Sequence, residues 1–120
     1  MNGFRVLGIS WVGIGSDRYD ETLHLFRDVL GLQVTDGAER QALLTVAPGQ
    51  MVEIFGRDGP GKSRNTPPAI GLEVDDFAAA CTALAAAGVE LVGDPGEWES
   101  HRWQYFRTPD GYLFSIKVSA

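Results

Sequence analysis

The 120-residue chain carries the same succession of elements twice, and that repeat limits its fold more than any other feature. From Phe4 to Ile14 it is apolar and rich in β-branched residues and glycine, the composition of a strand. Gly15-Ser16-Asp17 follows, where a short polar side chain can cap a helix. Tyr19, Leu23, Phe26 and Leu30 then recur at helical spacing, with Asp20 and Glu21 suited to the first turn and Gly31 at the stop position. This predicts a helix over Arg18–Leu30. Strands are expected at Leu32–Thr35, Gln41–Ala47 and Met51–Phe55, the last two joined by Pro48-Gly49-Gln50.

A polar stretch rich in Gly and Pro, Gly56–Pro68, reads as a linker, and then the pattern restarts. Ala69–Val74 is a strand and Asp75-Asp76 a cap. Phe77, Ala80, Cys81, Leu84 and Ala87 form a helical stripe that stops at Gly88. Val89–Val92 is a strand, Gly93–Ser100 a polar loop, and Arg102–Arg107 and Tyr112–Val118 a strand pair across Thr108-Pro109-Asp110-Gly111. Trp11 to Asp17 is the same step as Ala69 to Asp75. The expectation is α+β: a single domain of two βαβββ modules, residues 4–55 and 69–118, each too small to close a barrel alone.

Composition removes several function classes. Sixteen acidic against ten basic residues, net −6, offer no positive field to nucleic acid or to an anionic membrane surface. No apolar stretch reaches the ~20 residues of a membrane span. Cys81 is the one cysteine, so no intramolecular disulfide can form. The start MNGFRVLGIS lacks the basic flank and apolar run of a signal peptide, so the cytoplasm is the expected location.

Phe26-Arg27-Asp28-Val29-Leu30-Gly31-Leu32, Ala86-Ala87-Gly88-Val89 and Pro109-Asp110-Gly111-Tyr112-Leu113, in this order within two βαβββ modules, resemble the vicinal oxygen chelate superfamily. That superfamily includes glyoxalase I, extradiol dioxygenases, fosfomycin resistance enzymes and bleomycin resistance proteins. The resemblance covers nearly the whole chain and implies a U-shaped incomplete barrel with the ligand inside. In metal-dependent members His and Glu side chains from the first and last strands of each module hold a divalent ion. Those positions fall here on Trp11, Glu53, Ala69 and Ser115, of which only Glu53 is a good ligand, whereas a catalytic zinc or iron centre needs about three. No metal and no other cofactor is therefore expected.

Strand alternation puts Glu53 on one face with Met51 and Phe55, as a general base or a group that receives a cationic or amide-bearing ligand. Glu97 to Phe106 holds Trp98, Trp103, Tyr105 and Phe106 together with His101, Arg102 and Gln104: flat rings for stacking and polar groups for orientation. Trp11 would add an indole floor. Gly56 to Ser63 matches the phosphate-binding pattern G-x-x-x-x-G-K-[ST], but Pro67 and Pro68 forbid the helix such a loop must open, so the match is read as chance. Asp20, His24 and Asp28 share one helix face and read as a solvated patch; Cys81 reads as a core thiol.

The expected function is metal-independent binding of an aromatic or cationic small molecule, in the manner of bleomycin resistance proteins, by a homodimer. Trp11, Trp98, Trp103 and Tyr105 would stack; Glu53, Glu73, His101, Arg102 and Ser115 would give polar recognition. The alternative is a lyase or isomerase in which Glu53 abstracts a proton α to a carbonyl or ligates a metal in part. A third reading is a dimeric scaffold whose cleft is filled by its own side chains.

Overall fold

The computed structural model describes residues 3–56 and 68–119. The Gly56–Ser63 match therefore lies, beyond Gly56, outside the described residues, as does most of the linker. The elements are β1 (Val6–Ser16), α1 (Tyr19–Leu23), a π-helical turn (His24–Val29), β2 (Gln33–Ala38), β3 (Gln41–Ala47), β4 (Gln50–Gly56), β5 (Ala69–Val74), α2 (Phe77–Ala86), β6 (Glu90–Trp98), β7 (His101–Arg107) and β8 (Leu113–Val118). This is the expected α+β order, βαβββ twice. None of the described helices is long and apolar enough to cross a membrane.

The chain divides into two compact units, and the boundary falls inside β1. From Trp11 onward β1 belongs with α1 and β2–β4. Here the strands lie in the order β2-β3-β4-β1, with β1 and β4 parallel and the other neighbours antiparallel. The core of this unit is Tyr19, Ala42, Leu44 and Ile54, with Leu23, Phe26, Leu32 and Val52 against it. β1 up to Ser10 belongs with α2 and β5–β8, ordered β5-β8-β7-β6 with β5 and β8 parallel. Val74, Phe77, Ala80 and Ile116 form the core there, and Phe4, Cys81, Leu84, Phe106 and Val118 pack on it.

The two helices end differently. At α2 the Asp76 side chain accepts from the Ala79 amide at 3.0 Å, and Gly88 (φ 76°) closes the end with Val89 N donating to Leu84 O at 3.1 Å. The first helix, expected to run regularly to Leu30, instead widens at His24, and Leu30 N donates to Leu25 O five residues back. The extra residue in the turn rotates Leu30 outward, where it is 58% exposed, and Leu32 takes its place on the core.

A second difference is the polar loop expected at Gly93–Ser100, which is strand as far as Trp98. The ladder to β7 slips between Val92 and Gly96, so Gly93 (φ 71°), Asp94 and Pro95 form an irregularity within β6 rather than its end. Proline has no amide to give the ladder and is tolerated at such a point.

Gly88→Ala puts a side chain at φ 76° with nothing nearby to contact. It should cost about 1 kcal/mol from backbone strain alone and lower the thermal midpoint by about 3–6 °C in a calorimetric scan.

Candidate functional site

Alternation along β4 turns Val52 and Ile54 to α1 and leaves Met51, Glu53 and Phe55 on the sheet face without a helix. The register sets Glu53 between Gly13 of β1 and Leu43 of β3. Glycine at 13 leaves a gap, and the Trp11 indole folds into it; a methyl group on Gly13 would strike the ring. So placed, Trp11 Nε1 donates to Glu53 Oε1 at 2.9 Å. Gln41, at the start of β3 and diagonal to Glu53, donates through Nε2 to Oε2 at 2.5 Å. Each carboxylate oxygen thus receives one neutral N–H, and all three side chains are half-buried. Among the described residues no lysine or arginine pairs with Glu53.

Trp11 and Glu53, expected together from the sequence, are in direct contact. Gln41 was missed, because its role depends on a register that only strand pairing defines: a slip of one residue sends it to the opposite face.

A family-type metal does not fit these residues. The indole N–H at Trp11 is a donor without a lone pair and is turned onto Glu53. Ala69 has no ligand atom, and Ser115 is buried in its own unit at 2% exposure. Among the described residues no three His, Cys, Asp or Glu side chains form a group that could hold an ion.

In the other unit the expected ligand residues part company. Trp103, Tyr105 and Ser115 share the face away from α2, with Tyr105 opposite Ser115 and Trp103 opposite Lys117. The Trp103 indole lies over Gly96 of β6, where a methyl group would collide with it, as Trp11 lies over Gly13. Gln104 points the other way and is buried, donating to the carbonyls of Val92 at 3.4 Å, Gly93 at 3.1 Å and Tyr105 at 2.9 Å, so its hydrogen bonds serve the β6 irregularity rather than a ligand. Arg102 also faces α2, its guanidinium 4.6 Å from the centroid of the Phe77 ring. Trp98 and His101 stack on each other at the hairpin end, centroids 5.8 Å apart and 15° between planes.

Glu73 closes a network of its own. Oε1 accepts from Ser10 Oγ at 3.0 Å and from Lys117 Nζ at 3.3 Å, and Oε2 accepts from the Ser119 amide at 2.8 Å. Burial works against its charge, but the Ser119 amide, the Lys117 ammonium and the Ser10 hydroxyl outweigh it and hold the carboxyl below its usual range. Cys81 packs against the α2 core, and burial pushes its thiol pKa up despite Arg102. On the first helix His24 Nδ1 meets Asp28 Oδ2 at 2.9 Å; Asp28, bonded by Arg27 as well, is held at about 2 and stays exposed to solvent.

Two outcomes follow from these contacts. Gly13→Ala should displace the Trp11 ring, moving its indole N–H proton resonance and destabilising the fold by about 1–3 kcal/mol. Because the Glu73 carboxyl is depressed in the folded state, its stabilisation is complete above the ordinary carboxylate range and is lost as pH falls through the folded value. Glu73→Gln should therefore cost about 1 kcal/mol at pH 7, after allowance for solvent screening, and progressively less as pH falls below the ordinary carboxylate range, as read by urea unfolding across that range.

The sequence profile of the Glyoxalase/Bleomycin resistance protein/Dioxygenase superfamily matches residues 8–116. No curated protein matches the chain. Among solved structures, methylmalonyl-CoA epimerase from Mycobacterium tuberculosis superposes with a TM-score of 0.73 at 21% identity, over 96% of this chain and 89% of the epimerase. A superfamily member from Vibrio splendidus 12B01 gives 0.68 at 21% identity, over 97% and 99% of the two chains. The Mn(II)-bound glyoxalase from Novosphingobium aromaticivorans gives 0.71 at 23% identity, over 96% of this chain and 40% of that one. At these identities the likeness is one of fold, and with the profile spanning nearly the whole sequence, the chain belongs to the glyoxalase/bleomycin resistance protein/dioxygenase superfamily.

Proposed function

We propose that the protein is a metal-independent binding member of its superfamily, which sequesters a cationic aromatic compound through Glu53 and Trp11. The observation that carries this reading is a half-buried carboxylate whose two recorded partners are both neutral N–H donors. A ligand ammonium or amidinium would supply the missing positive charge, and the adjacent indole offers a flat face for stacking and for cation–π attraction. Trp103 and Tyr105 give the other unit an aromatic surface suited to similar contacts. Sequestration of a toxic cation would be a resistance function.

The enzyme reading, with Glu53 as base, draws on the epimerase and the glyoxalase among the similar structures. In that reading the same two N–H donors would hold the carboxylate in a fixed orientation toward the substrate.

Self-association is part of the proposal. Val6, Leu7 and Ile9 on β1 are 54%, 57% and 60% exposed, a run of apolar side chains that a second copy of the chain would cover. The single cysteine suits a reducing compartment such as the cytoplasm.

Intrinsic tryptophan fluorescence titrated with a panel of aromatic cations should change saturably, and Glu53→Gln should weaken binding by about tenfold or more. Silence across the panel, or a lyase or isomerase turnover that Glu53→Gln abolishes, overturns the reading. Light scattering should give a dimer that Ile9→Glu converts to monomer.

A further inference from the structure

The hydrogen bonds around Glu53 restrict the kind of cation that it can receive. On the face without a helix its strand neighbours are apolar, Leu43 across the ladder and Met51 and Phe55 along β4, so its polar contacts come from Trp11 and Gln41. A carboxylate has about four acceptor positions, and Trp11 Nε1 and Gln41 Nε2 take one on each oxygen. Each oxygen thus has room for a further N–H, and the residue is only half-buried.

Gln41 brings a second acceptor to the same place. Two oxygens gain nothing by facing each other, so with Nε2 on Glu53 the carboxamide is oriented and Oε1 remains as an acceptor of its own. No other group among the described residues bonds to Gln41, and Oε1 is not one of the buried atoms shut off from a partner. Glu53 Oε2 and Gln41 Oε1 are therefore neighbouring acceptors, one charged and one neutral, held together before any ligand arrives. A cation with several N–H bonds can donate to both. A quaternary ammonium carries the same charge but no N–H, and it would take water from these oxygens without replacing its hydrogen bonds.

We propose that Gln41 is the specificity-determining residue of this site, and that it restricts the bound cation to one with at least two N–H groups, a primary ammonium or an amidinium, which donates to Glu53 Oε2 and Gln41 Oε1 together. This selection rests on Glu53 acting as a cation receptor, the function proposed above, and narrows it. Coulomb attraction to Glu53 would admit either kind of cation, and cation–π attraction to an indole favours neither for its N–H groups. Only the pair of acceptors separates them.

The test is isothermal titration calorimetry with benzylammonium chloride and benzyltrimethylammonium chloride, which share charge and ring. Benzylammonium should bind more tightly by about tenfold or more. Gln41→Met, of similar length but without the carboxamide, should shrink that ratio by about threefold or more. In 15N-labelled wild type the Gln41 carboxamide cross-peaks should move saturably with benzylammonium, a readout that needs no variant. If the quaternary cation binds as tightly as the primary one, the selection fails while cation binding stands. The selection also fails if Gln41→Met keeps the full ratio, or if benzylammonium binds and leaves the Gln41 cross-peaks in place. If neither cation binds, it fails together with the receptor reading of Glu53.

Discussion

The parallel pairing of the first and last strands in each βαβββ unit is the constraint from which the rest follows. Parallel neighbours cannot be joined by a hairpin, so the chain between β1 and β4, and between β5 and β8, must cross over, and each crossover carries its unit's helix. The helix covers one face of its sheet, and the apolar side chains collect there: Leu44 and Ile54 in one unit, Val74 and Ile116 in the other. The opposite face carries no helix, and although Phe55 and Ser115 are buried there, polar and aromatic side chains are free to stand beside them. That freedom is what allows Trp11, Gln41 and Glu53 in one unit, and Trp103, Tyr105 and Lys117 in the other, to occupy strand positions.

On these faces tryptophan is placed by glycine. Trp11 over Gly13 and Trp103 over Gly96 use the same device, a ring lying where a neighbouring residue has no Cβ. The glycine thus decides where the indole N–H of Trp11 points, and so which oxygen of Glu53 it meets. Neither ring position is visible in the tryptophans themselves.

Two glutamates show how environment separates chemically identical groups. Glu73 is answered by Lys117 and by the backbone at Ser119, so its charge serves the integrity of its unit. Glu53 is answered by an indole and an amide, which fix its orientation without neutralising it. The sequence treats both as candidate ligand groups, since each lies on a strand among apolar residues. Counting partners across strands distinguishes them, because the cation that satisfies Glu73 is 44 residues away along the chain.

Periodicity, caps and stops carried most of the architecture without any tertiary information. The doubled βαβββ order, the Asp76 cap, the Gly31 and Gly88 stops and the turns at Gly49 and Gly111 depend on local conformational preferences, which each short segment holds by itself. Features that depend on fit between segments could not be read this way. The first helix widens, trading Leu30 for Leu32 on the core, and β6 runs through Gly93 and Pro95 because β7 offers it a partner. Gln41 reaches Glu53 only through strand register. The sequence by itself determined the class of fold, the superfamily and the scarcity of metal ligands, since all three reside in residue types and their spacing. Which polar groups meet, and which charge remains unanswered, was decided by the tertiary structure, because hydrogen bonds and burial are relations between residues distant along the chain.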